Sequence, residues 1–169
     1  MNVILVCGPV GAGKTTYSID LAKEIDAIRF SIDPWMQTLF AKDMQSLDYA
    51  WILERVERCH QQIWEVAEQI LELNGNVILD LGFTTQKHRD RFKELSKKVN
   101  VDAEIHYLQA AIALRKQRVK QRNADKNPSL YCFEITDFIF DFMEGKFEPP
   151  LDSELINGRT IILEDEAAA

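Results

Sequence analysis

Residues 8 to 15 read Gly-Pro-Val-Gly-Ala-Gly-Lys-Thr: a glycine, four residues, a second glycine, then lysine and threonine. Each residue type has a task at this spacing. Gly8, Gly11 and Gly13 allow backbone conformations closed to other residues and bring N–H groups close to anionic oxygens. Lys14 offers an ammonium to the β- and γ-phosphates of a nucleotide, and Thr15 a hydroxyl able to ligate magnesium. Pro9 cannot donate, so the cradle must come from the later amides, at Ala12, Gly13, Lys14, Thr15 and Thr16. A chance glycine-rich turn would produce so complete a pattern in roughly one chain in a few hundred of this length. Its context argues for chemistry, because an apolar run precedes it and a helical stretch follows. ATP with Mg2+ is therefore the expected ligand pair.

Other chemical residues follow apolar runs, where ligands gather at the carboxyl ends of parallel strands. Asp33 lies after a second such run, where a carboxylate can accept the proton of an attacking hydroxyl. With Pro34 behind it, Asp33 is equally suited to cap a helix, and both roles stay open. Asp80 ends another run and can hold a magnesium-bound water, or cap a turn before Gly82. Arg115, Arg118 and Arg122, spaced by three and four, share one helical face, either as a lid over the nucleotide or as a solvated stripe. His88, Arg89 and Arg91 stand close enough to the third run to border a substrate pocket, or simply start a surface helix. His60 and His106 sit within a helix and a strand as packing residues.

These positions need a frame. Val3 to Cys7 is continuously apolar and partly β-branched, which suits a strand covered on both faces. Further strands are expected at Ala27 to Ile32, Val77 to Leu81, Glu104 to Leu108 and Thr160 to Leu163. Helices are expected over 14–24, from Asp33-Pro34 through Phe40, over 49–73, 85–99, 111–123 and 136–144. The long helix carries Ile52, Val56, Cys59, Ile63, Val66, Ile70 and Leu73 at steps of four and three, and Asn74-Gly75 closes it. Its flanks lack the consistent charge pairing of a coiled coil, so packing on the sheet is expected and the oligomeric state stays open. Strands alternating with helices predict a parallel sheet with helices on both faces, wound right-handedly. The acidic tail from Glu164 to Ala169 is expected to fray.

At 169 residues the chain suits a single domain, 1–169, with a core that needs no staples. A net charge of -7 disfavours non-specific capture of a nucleic-acid backbone. Cys7, Cys59 and Cys132 are too scattered for a disulfide framework or a paired zinc site, and they point to a reducing cytoplasm. The first apolar run is too short for a secretory signal core, and no spanning segment is apparent.

Nearly the whole chain resembles a family of small P-loop kinases and AAA-type ATP-binding proteins that includes zeta-toxin, chloramphenicol phosphotransferase and the kinase domain of polynucleotide kinase. The glycine loop, Ser31 to Met36, Leu79 to Phe83, Arg89 to Phe92, Arg118 to Asn123, Phe138 to Phe142 and Phe147 to Pro150 carry the likeness. The resemblance implies a three-layer α/β/α P-loop NTPase fold, with five parallel strands in the order 2-3-1-4-5 and a helical lid. It also implies Asp33 as base or substrate anchor, and Arg118 and Arg122 as the lid pair. The long segments with which zeta-toxin surrounds its sugar nucleotide are missing, as is a guanine-reading Asn-Lys-x-Asp motif. The expectation is an ATP-dependent kinase for a hydroxyl of a small-molecule acceptor, catalysed by Lys14, Asp33, Arg118 and Arg122, with Arg89 touching the substrate. A kinase for nucleic-acid 5′ ends and a non-enzymatic ATP-binding regulator are the alternatives.

Overall fold

The computed structural model describes residues 1–43, 48–127 and 133–164. Cys132 and the tail beyond Glu164 lie outside the described residues. Five strands form one sheet: β1 (Val3–Cys7), β2 (Ala27–Ser31), β3 (Asn76–Asp80), β4 (Ala103–Gln109) and β5 (Arg159–Ile162). All pairings are parallel and the order is β2-β3-β1-β4-β5, as the sequence and its resemblance predict. The helices are α1 (Lys14–Glu24), α2 (Ile32–Phe40), α3 (Tyr49–Glu72), α4 (Gln86–Lys98), α5 (Ile112–Asp125) and α6 (Asp137–Glu144).

Strand geometry explains why β1 is apolar throughout, since alternate side chains point to opposite faces and both faces are covered. Val3, Leu5 and Cys7 join Phe30, Val77, Leu79, Ile105 and the α3 residues Ile63, Trp64 and Ala67 in the larger core. Ile4 and Val6 join Ile78, Leu108 and Leu21 of α1 on the other face. Three layers result. A third, small cluster of Val119, Ile135 and Phe140, with Val10 against it, lies where α5 and α6 meet the glycine loop.

Three local details differ from the sequence reading. Ser31, not Asp33, is the residue preceding α2, so Asp33 falls inside the first turn and Pro34 one step later. The buried face of α3 comprises Cys59, His60, Ile63, Trp64, Ala67 and Leu71, rotated from the predicted stripe. Trp64 wins the sheet-facing place, and Leu73 becomes the exposed C-cap residue. Asp48 caps this helix by accepting from the Ala50 and Trp51 amides at 2.9 and 3.3 Å. Asn74 then takes the left-handed conformation that ends it, with φ 59°.

Candidate active site

The loop between β1 and α1 takes its path from two glycines that tolerate close neighbours. A Cβ at Gly8 would come within 2.6 Å of the Leu108 carbonyl oxygen, and one at Gly11 within 2.6 Å of that of Arg115. The loop is thereby seated against β4 and α5. Gly13, at φ 89°, turns the chain into α1 without a side-chain cap, and the first turn holds no acidic residue. The first i to i−4 bond is donated by Tyr17 to the Gly13 carbonyl at 3.0 Å, so the amides of Lys14, Thr15 and Thr16 precede the helical ladder. A helix start with neither cap nor carboxylate is an open seat for an anion. The Lys14 ammonium donates to the carbonyls of Gly8 and Pro9 at 2.8 and 3.0 Å. Burial pushes its pKa down, opposed by the carboxylates of Asp80 and Asp33.

Ala12 does not contribute as expected. Its side chain is fully buried in the α1-side core and its amide donates to the Pro9 carbonyl at 3.2 Å, closing the turn.

A cavity of about 420 Å³ opens over this loop. Gly8, Gly11, Gly13, Lys14, Thr15 and Thr16 line it from below, Asp33 and Asp80 from the sheet edge, and Arg118 and Arg122 from α5. Thr84, Met143 and Phe147 extend its wall away from the loop. Asp80 ends β3 with its carboxylate nearly buried; its Oδ2 accepts from Arg29 at 2.6 Å and from Ser18 at 3.3 Å. Asp33 is open to the cavity, yet its pKa is pushed up, first by the loss of water between the cavity walls and then by Asp80, against Lys14, Arg122 and Arg29. A carboxyl shifted in that direction is better matched to taking a proton near neutrality.

Of the three lid arginines, two face the cavity. The third, Arg115, is buried and engaged: it donates to Ala110 and Val10 carbonyls at 3.0 and 3.3 Å and to both Glu144 oxygens at 2.6 and 2.7 Å. Hydrogen bonding from Arg115 holds the Glu144 carboxyl below its ordinary value, against the opposing effect of burial. This fork ties α5 to α6 and to the glycine loop. Arg122 Nε is buried and has no hydrogen-bond partner among the described residues, which suits an incoming phosphate oxygen.

Arg89 must be withdrawn from the substrate-binding set. It is fully buried in α4, with Nε and Nη2 donating to Glu154 at 2.8 and 3.1 Å and Nη1 to the Phe83 and Glu148 carbonyls at 3.2 and 2.8 Å. Every nitrogen of its guanidinium is engaged within the protein. Its neighbours also point elsewhere: Arg91 pairs with Glu57 at 2.7 Å, and His88 stacks on His60 with ring centroids 4.6 Å apart. His106, buried in β4, meets the Tyr17 hydroxyl through Nδ1 at 2.8 Å, a packing role like that expected.

The sequence reading missed Ser18, Arg29, Glu144 and Glu154. Ser18 could have been noticed, lying one turn beyond Lys14 on a helix covering the sheet. Arg29, Glu144 and Glu154 form contacts spanning 51, 29 and 65 residues, for which no local spacing is a signal.

The loop's open amides, the buried ammonium and the unpartnered Arg122 Nε fit a triphosphate tail. The hydroxyl of Thr15 and the carboxylate of Asp80 are the hard oxygen donors that magnesium takes, directly or through water. Fold and loop together define a three-layer α/β/α protein of the P-loop class. More particularly, the chain belongs to the AAA domain family AAA_33, which matches residues 3–150. Among solved structures it is similar to a candidate kinase from Chloroflexus aurantiacus, at TM-score 0.73 and 17% identity over 95% of this chain and 87% of that one. It is similar to Kti12 of Chaetomium thermophilum in complex with ADP-AlF3, at TM-score 0.72 and 14% identity over 98% and 92%. It is also similar to the Mycobacterium tuberculosis APS kinase CysC in complex with AMPPNP and APS, at TM-score 0.61 and 14% identity over 94% and 87%. These likenesses show the fold. No curated protein matches the chain. Among the described residues, no helix is long and apolar enough to cross a membrane.

Proposed function

We propose that residues 1–169 act as one ATP-dependent kinase domain that moves the γ-phosphate of ATP to a hydroxyl of a small molecule. The observation that carries this reading is the shared cavity: loop, Lys14, Asp33 and the two lid arginines all line one space of about 420 Å³. Solved relatives of this fold bind AMPPNP or ADP-AlF3, which supports adenine nucleotide as the donor. The scattered cysteines, two of them free and buried, suit a reducing cytoplasm.

In the mechanism, Lys14 and the amides of Gly13 to Thr16 hold the β- and γ-phosphates. Magnesium, held by Thr15 and through water by Asp80, would neutralise charge on those phosphates. Asp33 takes the proton of the acceptor hydroxyl as its oxygen attacks phosphorus. Arg118 and Arg122 stabilise the charge spread over the transferred group and help to exclude water. The acceptor is neutral or cationic in this reading, because Asp33 lines the cavity while the cavity's cations Lys14, Arg118 and Arg122 are taken up by the phosphates. A nucleic-acid 5′-end kinase would call on Arg89 or Arg91 to grip a phosphate, but Arg89 is buried against Glu154 and Arg91 is paired with Glu57.

Labelled ATP incubated with a metabolite pool and, separately, with an oligonucleotide tests the proposal; label is expected in a small molecule. Asp33→Asn should leave nucleotide affinity within about threefold of wild type while lowering transfer by roughly 100-fold or more. Equal transfer by the two proteins would remove Asp33 from the mechanism.

A further inference from the structure

Arg29 lies on β2 and belongs to no motif, yet it reaches the floor of the phosphate site. In the β2–β3 register Ser31 pairs with Asp80, so Arg29, two residues earlier, stands on the same sheet face diagonally across from that carboxylate. Its guanidinium spans two elements: Nε donates to Ser18 Oγ at 2.6 Å and Nη2 to Asp80 Oδ2 at 2.6 Å. Ser18 Oγ is also 3.0 Å from the Thr15 carbonyl, the backbone of the residue whose hydroxyl serves magnesium. The side chains of Arg29 and Asp80 are only 18% and 6% exposed, so water screens the pair weakly. One arginine thus joins β2, β3 and α1.

We infer that Arg29 is a positioning residue for magnesium: it fixes Asp80 through Oδ2 and, through Ser18, fixes that carboxylate relative to Thr15, leaving Asp80 Oδ1 for the magnesium-bound water. This rests on the nucleotide-site reading above. Arginine is suited to the task because its planar fork supplies two donors in fixed relation, whereas lysine supplies the same charge on a single mobile nitrogen. Outer-shell partners of this kind typically govern metal affinity by 10- to 100-fold.

The test measures ADP binding by calorimetry with excess Mg2+ and again with EDTA, and takes the ratio of the two affinities. Binding without magnesium reports the loop and Lys14, and should stay within about twofold of wild type in Arg29→Gln. The magnesium-dependent gain should fall by about tenfold or more. Arg29→Lys, which keeps the charge, should recover only part of it, and Ser18→Ala, which leaves all charges in place, should reduce it as well. A gain in Arg29→Gln equal to or above that of wild type would overturn the inference, since Arg29 would then be a simple tie or a competitor for Asp80. Full recovery by Arg29→Lys would overturn it too, by reducing the role to charge. Should Arg29→Gln fail to fold by circular dichroism, the lysine and Ser18→Ala variants decide alone, and wild-type ratios in both refute it. A wild-type protein with no magnesium-dependent gain would remove the nucleotide-site reading together with this inference, whereas a normal wild-type gain left unchanged in the variants removes the inference only.

Discussion

Replacing Arg89 with methionine tests whether this arginine serves the architecture rather than the substrate. The variant keeps most of the side-chain volume but removes four donated hydrogen bonds, two of them to Glu154. The side chains of Arg89 and Glu154 are 0% and 4% exposed, so the Glu154 carboxylate would lose its ion-pair partner with little water to replace it, keeping the Leu151 amide at 2.9 Å. Breaking such a buried pair from one side costs about 3 to 5 kcal/mol. For a chain of this length that lowers Tm by roughly 6 to 20 °C. The pH dependence gives an internal control. In wild type, burial raises the Glu154 pKa, but hydrogen bonds from Arg89 and Leu151 outweigh it and hold the group below its ordinary 4.5. Its stabilisation is complete above that value and is lost as pH falls through the depressed folded pKa. In Arg89→Met, burial, the largest influence on Glu154, is opposed only by the Leu151 amide and the charge of Lys93, so the carboxyl pKa is expected to rise; the native state then binds a proton that the unfolded chain lacks, and stability improves as pH falls. The deficit should therefore shrink between pH 7 and pH 5, and Arg89→Met/Glu154→Gln should recover about 1 to 3 kcal/mol at pH 7. Urea unfolding followed by circular dichroism measures all three proteins. A deficit below about 1 kcal/mol, or one independent of pH, would refute the reasoning.

Gly158→Ala should destabilise the fold by about 1 to 3 kcal/mol, because its Cβ would be driven into the Ile105 carbonyl of β4; its nucleotide affinity should match wild type in the folded fraction, measured by calorimetry. Burial pushes the pKa of His60 down to about 4 and that of His88 to about 3, so both are neutral in the native state. Their contribution is present above the ordinary 6.5 and fades as pH falls below it, by about 1.4 kcal/mol per pH unit for each group. His88→Leu should flatten the decline of stability between pH 6.5 and 5, and a slope unchanged from wild type in urea titrations would count against the buried neutral pair.

The frame was legible because it rests on local patterns. An apolar run stopped by Gly8, a helical stripe over twenty residues and an Asn-Gly stop each act within a few positions, and parallel pairing follows once strands and helices alternate, whereas the strand order was implied by the family resemblance. The loop was legible for the same reason: its glycines, lysine and threonine are contiguous. What could not be read was which of several cations each carboxylate would choose. Arg89, Arg91, Arg115, Arg118 and Arg122 look alike in sequence, and three of them are withdrawn from the site by partners far along the chain: Glu154 for Arg89, Glu57 for Arg91 and Glu144 for Arg115. Helical spacing placed Arg115, Arg118 and Arg122 on a common face correctly, but a face is wider than a cavity. The helix start was misjudged by two residues, where Ser31 and Asp33 are both acceptable cap types and β2 pairs through Ser31 with Asp80 before α2 begins at Ile32.

The strand order also has a consequence for biosynthesis. Of the five strands β1 is made first, yet its neighbours in the sheet are β3 and β4, and the turn after it leans on Leu108 and Arg115. A nascent chain therefore carries the glycine loop before it has a surface to hold that loop in shape. Only after about a hundred further residues have emerged does that segment acquire both flanks, so the loop cannot be set in shape until β4 and the start of α5 have been made.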